Sequence, residues 1–100
     1  MNYTIDLSTK ARQELGESWS WYEEQQLGLG NRFEEAFFSK ADLIQSNPLH
    51  YPLKGRYHQT QMDIFPFLIV FKVNKQKETI LIVSVFHTSR NPKRKRPKGI

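Results

Sequence analysis

The sequence predicts an α+β domain: an N-terminal strand, an antiparallel helical hairpin, then a mostly antiparallel three-strand meander forming one sheet packed on the hairpin. Three observations lead there. Apolar residues recur with a helical period from Ala11 to Ile44. The segment "GLG", Gly28 to Gly30, interrupts that stretch and supplies the freedom for a tight reversal. Two later runs, "FLIVFKV" and "TILIVSVF", are dense in β-branched and aromatic residues.

The first strand rests on Tyr3, Ile5 and Leu7 alternating with Asn2, Thr4 and Asp6, the period of a half-buried strand. Ser8 or Thr9 then offers a hydroxyl to the free amides of a helix start. In "TKARQELGESWSWYEEQQ", Ala11, Leu15, Ser18, Tyr22 and Gln26 fall on one arc with Trp19 on its flank. Gly16 weakens this helix by about 1 kcal/mol relative to alanine, and close approach of another backbone is the expected reason for it. After the reversal, Phe33, Phe37, Lys40 and Ile44 share an arc, with Ala36 and Leu43 beside it. Helices joined so briefly lie antiparallel. Pro48 and Pro52 break the second helix into the connector "PLHYPLKG". The weakly alternating "RYHQTQMDI" precedes the two apolar runs, and the polar "NKQKE" between those runs predicts a hairpin. Their near-continuous apolar character places them at the centre of the sheet, covered on both faces. The helical hairpin covers only one face, which leaves the other with an apolar surplus.

Trp19 and Trp21 stand about 200° apart around a helix, so both cannot face the core. Phe38 likewise lies off the Phe33, Phe37 and Ile44 arc. Trp21 and Phe38 either widen the apolar face where the helices meet, or belong to a partner-binding surface.

Length and composition fit one domain, residues 1–89, followed by a basic tail, residues 90–100. The chain has no cysteine, so disulfides, thiolate metal sites and cysteine nucleophiles are excluded. His50, His58 and His87 match no zinc spacing, and neither metal nor cofactor is expected. The longest apolar stretch, Ile64 to Phe71, contains a proline and falls far short of the roughly 20 residues of a membrane span. The start, "MNYTIDLSTK", reads as neither a basic leader nor an apolar signal core, so the expected location is cytoplasmic. The net charge of +5 is misleading. Arg90, Lys93, Arg94, Lys95, Arg96 and Lys98 supply six positive charges without an acid, leaving residues 1–89 at −1. The tail is an interaction arm or a solvated end.

No phosphate-binding loop is present, because "GLG" lacks the P-loop lysine and links two helices. No serine sits in a nucleophile elbow. The plausible ionic constellation is Lys54, Arg56 and His58 around the second strand, with His87 and Arg90 at the end of the last. Such a group can in principle cleave RNA without a metal, histidine moving protons and arginine holding phosphate. Lys54 and Arg56 are either ordinary solvated charges near a loop or contacts for a partner or a phosphate.

Several pieces in order resemble the ParE/RelE superfamily of type II toxin-antitoxin toxins, in its ParE-like branch. They are "ARQELGESWSWYEEQQLGLGNRFEEAF", "IQSNPLHYP", "DIFPFLIVFKV" and "ILIVSVFHTSRNP", which together cover nearly residues 3 to 92. The resemblance implies a RelE/ParE-like fold, a cognate antitoxin that wraps the toxin and covers the apolar surplus, and a role in plasmid stabilisation. A higher-order toxin-antitoxin complex is compatible with it. RelE-like members cleave messenger RNA on the ribosome with basic residues on the sheet. Here Leu68 stands where they carry an arginine, and His58 and Thr60 roughly where they carry lysines. If the chain were a nuclease, the resemblance would assign catalysis to His87, Arg90, His58 and Arg56. ParE-like members instead bind DNA gyrase and trap it, although "YHQTQMD" replaces their usual arginine pair. The expected function is thus growth inhibition by binding, with gyrase the target. Antitoxin or target contacts then fall to Lys54, Arg56, Trp21, Phe38, Arg90, Lys93, Arg94, Lys95 and Arg96.

Overall fold

The computed structural model describes residues 3–89. The order is β1 (Thr4–Leu7), α1 (Thr9–Gln25), α2 (Leu29–Ser46), a 3-10 turn (Pro48–His50), β2 (Leu53–Lys54), β3 (Tyr57–Gln61), β4 (Phe67–Asn74) and β5 (Thr79–His87). All strands share one sheet, ordered β1-β5-β4-β3-β2. The α+β class and the central placement of β4 and β5 match the sequence reading. The connector holds more than expected, because Leu53–Lys54 folds back as a short strand on β3. β1 joins the other edge, parallel to β5.

Ser8 starts α1, its Oγ accepting from the Ala11 amide at 3.0 Å. The reversal before α2 is held by Glu23, whose two carboxylate oxygens accept from the Gly28 and Gly30 amides at 2.8 and 2.9 Å. These are amides with no partner inside the helix, and a carboxylate suits the positive end of the helix dipole. Gly28 has φ +89°, a conformation that favours glycine.

Close backbone approach occurs at Gly30, not at Gly16 as the sequence suggested. A Cβ on Gly30 would stand 2.7 Å from the Trp19 carbonyl oxygen, whereas one on Gly16 would meet nothing within 4 Å. Gly16 lies on the exposed side of α1, so the hairpin crosses elsewhere.

The core lies between the hairpin and one face of the sheet. Ala11, Leu15 and Tyr22 from α1 and Phe33, Phe37, Ala41 and Ile44 from α2 meet Phe67, Ile69, Phe71, Ile80, Ile82 and Val85. Phe65 folds back from the β3–β4 loop to pack edge-on against Tyr22 and Phe33, with ring centroids 5.1 and 5.4 Å apart. The Pro66 carbonyl after it accepts from both the amide and hydroxyl of Thr88, which ties that loop to the end of β5. No helix among the described residues is long and apolar enough to cross a membrane.

Candidate functional site

A bulge decides what each face of the sheet carries. Val70 of β4 pairs with Ser84 and Phe71 pairs with Ile82, so β5 accommodates one extra residue at Val83. Without it, the alternation begun by Ile80 and Ile82 would carry Phe86 to the helices. With it, Val85 and His87 face the helices opposite Ile69 and Phe67, and Phe86 turns outward opposite Leu68. β1 pairs with β5 only as far as Ile82, and α1 takes over the free edge beyond. The Ser8 hydroxyl donates to Val83 O at 3.1 Å, and Glu14 Oε1 accepts from Ser84 Oγ and the Val85 amide at 2.9 and 2.8 Å.

The outward face is therefore built from alternate residues of every strand. Across its middle lie Gln61, Leu68 and Phe86, then Gln59 and Val70, with the bulged Val83 beside the Val70–Ser84 pair. Leu68, Val70, Leu81, Val83 and Phe86 are half-buried on the strands, and the buried core between sheet and helices lies on the opposite face. The apolar surplus expected opposite the hairpin is thus located on β4 and β5.

The expected basic constellation is divided by the fold. Lys54 pairs with Tyr57 and shares the outward face, and Arg56 sits exposed in the β2–β3 turn. His58 points the other way: its ring stacks on Phe71 at 5.4 Å and 14°, and Nδ1 stands 2.9 Å from the Tyr51 carbonyl oxygen, to which it donates. His87 also lies on the helix side, edge-on to Phe67 at 5.2 Å, with Nδ1 accepting from the Ser89 amide at 3.0 Å. Their partners Phe71 and Phe67 are four residues apart on β4, and the two histidines flank that strand on opposite sides. Strand spacing then separates their backbones by about 16 Å, too far for an acid and a base acting on one phosphate. Arg90, Lys93, Arg94, Lys95 and Arg96 lie outside the described residues.

Trp21 and Phe38 are both exposed, at 38% and 47%, but on different stripes of the hairpin. Trp21 is two turns beyond Glu14, on the flank of α1 that reaches β5. Phe38 is two turns beyond Asn31, which accepts from Trp19 Nε1 at 3.0 Å on the flank of α2 facing α1. They do not form one patch. Among the described residues no group of acids and histidines is placed to hold a metal.

A family model described as the ParE toxin of type II toxin-antitoxin systems, parDE, matches residues 5–92. The chain belongs to the ParE toxin family. Solved structures agree with this ParE fold at low identity. The chromosomal ParDE system of P. aeruginosa superposes with a TM-score of 0.75 at 13% identity, covering 85% of this chain and 95% of that one. The intact E. coli RelBE toxin-antitoxin complex gives 0.65 at 18%, covering 88% and 99%. The RelBE2 complex of Mycobacterium tuberculosis gives 0.64 at 19%, covering 87% and 99%. No curated protein sequence matches the chain. The outward face of the sheet in this ParE chain is neutral and apolar at its centre.

Proposed function

We propose that this ParE-family toxin inhibits growth by binding a protein target, DNA gyrase, and that a cognate antitoxin neutralises it by covering the outer face of the sheet. A plasmid-stabilisation role and a cytoplasmic location follow from that reading. The observation that carries it is the middle of the outer face. Leu68, aligned with the RelE-like arginine, lies there between Gln61 and Phe86, with Gln59 and Val70 in the next row, so the middle of this face carries no cation to hold a phosphate. Neutral and apolar side chains give no stabilisation to charge accumulating on phosphate, whereas they suit burial under a polypeptide. The separation of His58 from His87 supports binding over cleavage on independent grounds.

The test is expression of the toxin alone in a bacterial host, with separate readouts of translation and DNA supercoiling. The expected result is DNA breakage and a damage response while translation continues, and the same phenotype from His87→Ala. Early translational arrest with cut messenger, lost in His87→Ala, would establish ribosome-dependent cleavage instead.

A further inference from the structure

Cations collect at one end of the outer face. Lys54 lies opposite Tyr57, and Lys72 opposite Leu81. One step along from the His58–Phe71 pair, Tyr57 lies beside Lys72. These four residues form a row across four strands, in which Lys54 and Lys72 stand about 10 Å apart with the Tyr57 ring between them. Beside Lys72 is an open depression of about 490 Å³, lined also by Asn74, Lys75, Gln76, Thr79 and Leu81. Arg56 and Lys77 occupy the turns at the same end.

Among the described residues, none of Lys54, Arg56, Lys72, Lys75 and Lys77 is in an ion pair. Asp6, opposite Leu81, is held by Arg12 at 2.9 Å, which leaves Glu78 as the counter-charge in the β4–β5 loop. Such a cluster repels itself and is relieved by an anion. Away from the lysine row the face becomes apolar at Val70 and then at Leu68 and Phe86. A nucleic-acid backbone would find cations at one end only, whereas a peptide that is acidic at one end and apolar beyond meets both halves.

We propose that the row Lys54, Tyr57 and Lys72, with Lys75, seats the acidic end of the antitoxin segment that covers this face. The inference rests on the reading that the face receives the antitoxin, and adds the direction in which that segment lies. Lys72 and Leu68 are four residues apart on one strand, or about 13 Å. The acidic residue of the partner and the apolar residue covering Leu68 are then separated by about four residues if the segment is extended, or about nine if helical.

The probe is the protein encoded by the adjacent reading frame, co-expressed and then separated from the toxin. Its affinity and association rate are measured against wild type, Lys72→Glu/Lys75→Glu, Val70→Asp and the α1 surface control Lys10→Glu, with circular dichroism as a check on folding. At about 0.1 M salt the double reversal should weaken binding by about tenfold or more, chiefly through association. At about 1 M, where the screening length shrinks to about 3 Å, most of the difference should vanish. Lys72→Gln/Lys75→Gln should show the same trend at smaller size, and Lys10→Glu none. If Val70→Asp abolishes binding while the double reversal leaves it within twofold, the face takes the antitoxin but its acidic end lies elsewhere, and this inference fails alone. If the wild type does not bind, or Val70→Asp binds normally, the reading of the face fails and the inference with it. Binding of a single-stranded oligonucleotide that only the lysine variants lose, with antitoxin affinity unchanged, would assign the row to nucleic acid and overturn the proposal.

Discussion

Adding one methyl group to each of two helical glycines should move stability in opposite directions. At Gly16 the new Cβ meets nothing within 4 Å, and the position is exposed in the interior of α1. Alanine there gains helix propensity without a steric cost, about 0.5–1 kcal/mol. For a domain of this size that raises the melting temperature by about 3–6 °C. At Gly30 the Cβ would be 2.7 Å from both Trp19 O and Glu23 Oε1, and 3.0 Å from Trp19 Cδ1. The carboxylate can swing away, but the carbonyl belongs to the backbone of α1, so the helices must separate. Overpacking of this kind costs about 1–3 kcal/mol. Moving Glu23 also weakens its bonds to the Gly28 and Gly30 amides, costing about 1 kcal/mol more. Set against a small propensity gain, the net loss is about 2 kcal/mol, or about 8–16 °C. Thermal melts by circular dichroism read both shifts, and urea titrations should give an unchanged m-value. Shifts of the same sign, or a Gly30→Ala protein melting within about 2 °C of wild type, would refute the idea that the hairpin's closest crossing lies at Gly30.

Two further substitutions probe the same framework. Glu23→Ala should destabilise by about 1–2 kcal/mol, because two amides at the start of α2 lose their acceptor, and water replaces it only in part; a change under about 0.3 kcal/mol in urea unfolding contradicts the capping role. His58→Ala should cost about 2 kcal/mol through loss of the Phe71 stack and the Tyr51 bond, and His58→Phe about half as much, while growth inhibition persists in both. Loss of growth inhibition in a stably folded His58→Phe protein would give that ring a functional part.

Much of the architecture was legible because it depends on local pattern. The arcs through Ala11, Leu15 and Tyr22, and through Phe33, Phe37 and Ile44, became the buried faces of α1 and α2. Ser8 caps α1, as one of the two hydroxyls expected to. Leu43 sits beside the second arc yet is 53% exposed. β2 escaped notice because two residues have no period; pairing with β3 makes them a strand.

The candidate site was legible only in part. Lys54 was singled out, but Tyr57, Lys72 and Lys75 were not, since each alone is an ordinary surface residue. They became a group through strand register, which joins positions far apart in the chain. His58 and Lys54 looked like neighbours in sequence and face opposite sides of the sheet.

By itself the sequence determined the helical hairpin, the two apolar central strands, the oily surplus opposite the helices and the family. The structural features follow from periodicity and turn residues, short-range properties of the chain, and the family from the resemblance of its motifs in order. Tertiary structure alone decided that β1 runs parallel beside β5, that Gly30 marks the helix crossing, and that the bulge at Val83 turns Phe86 outward and His87 inward. The physical reason is that side chains alternate along a strand with a period of two residues, so one inserted residue exchanges the two faces, and whether it is inserted depends on pairing with distant strands.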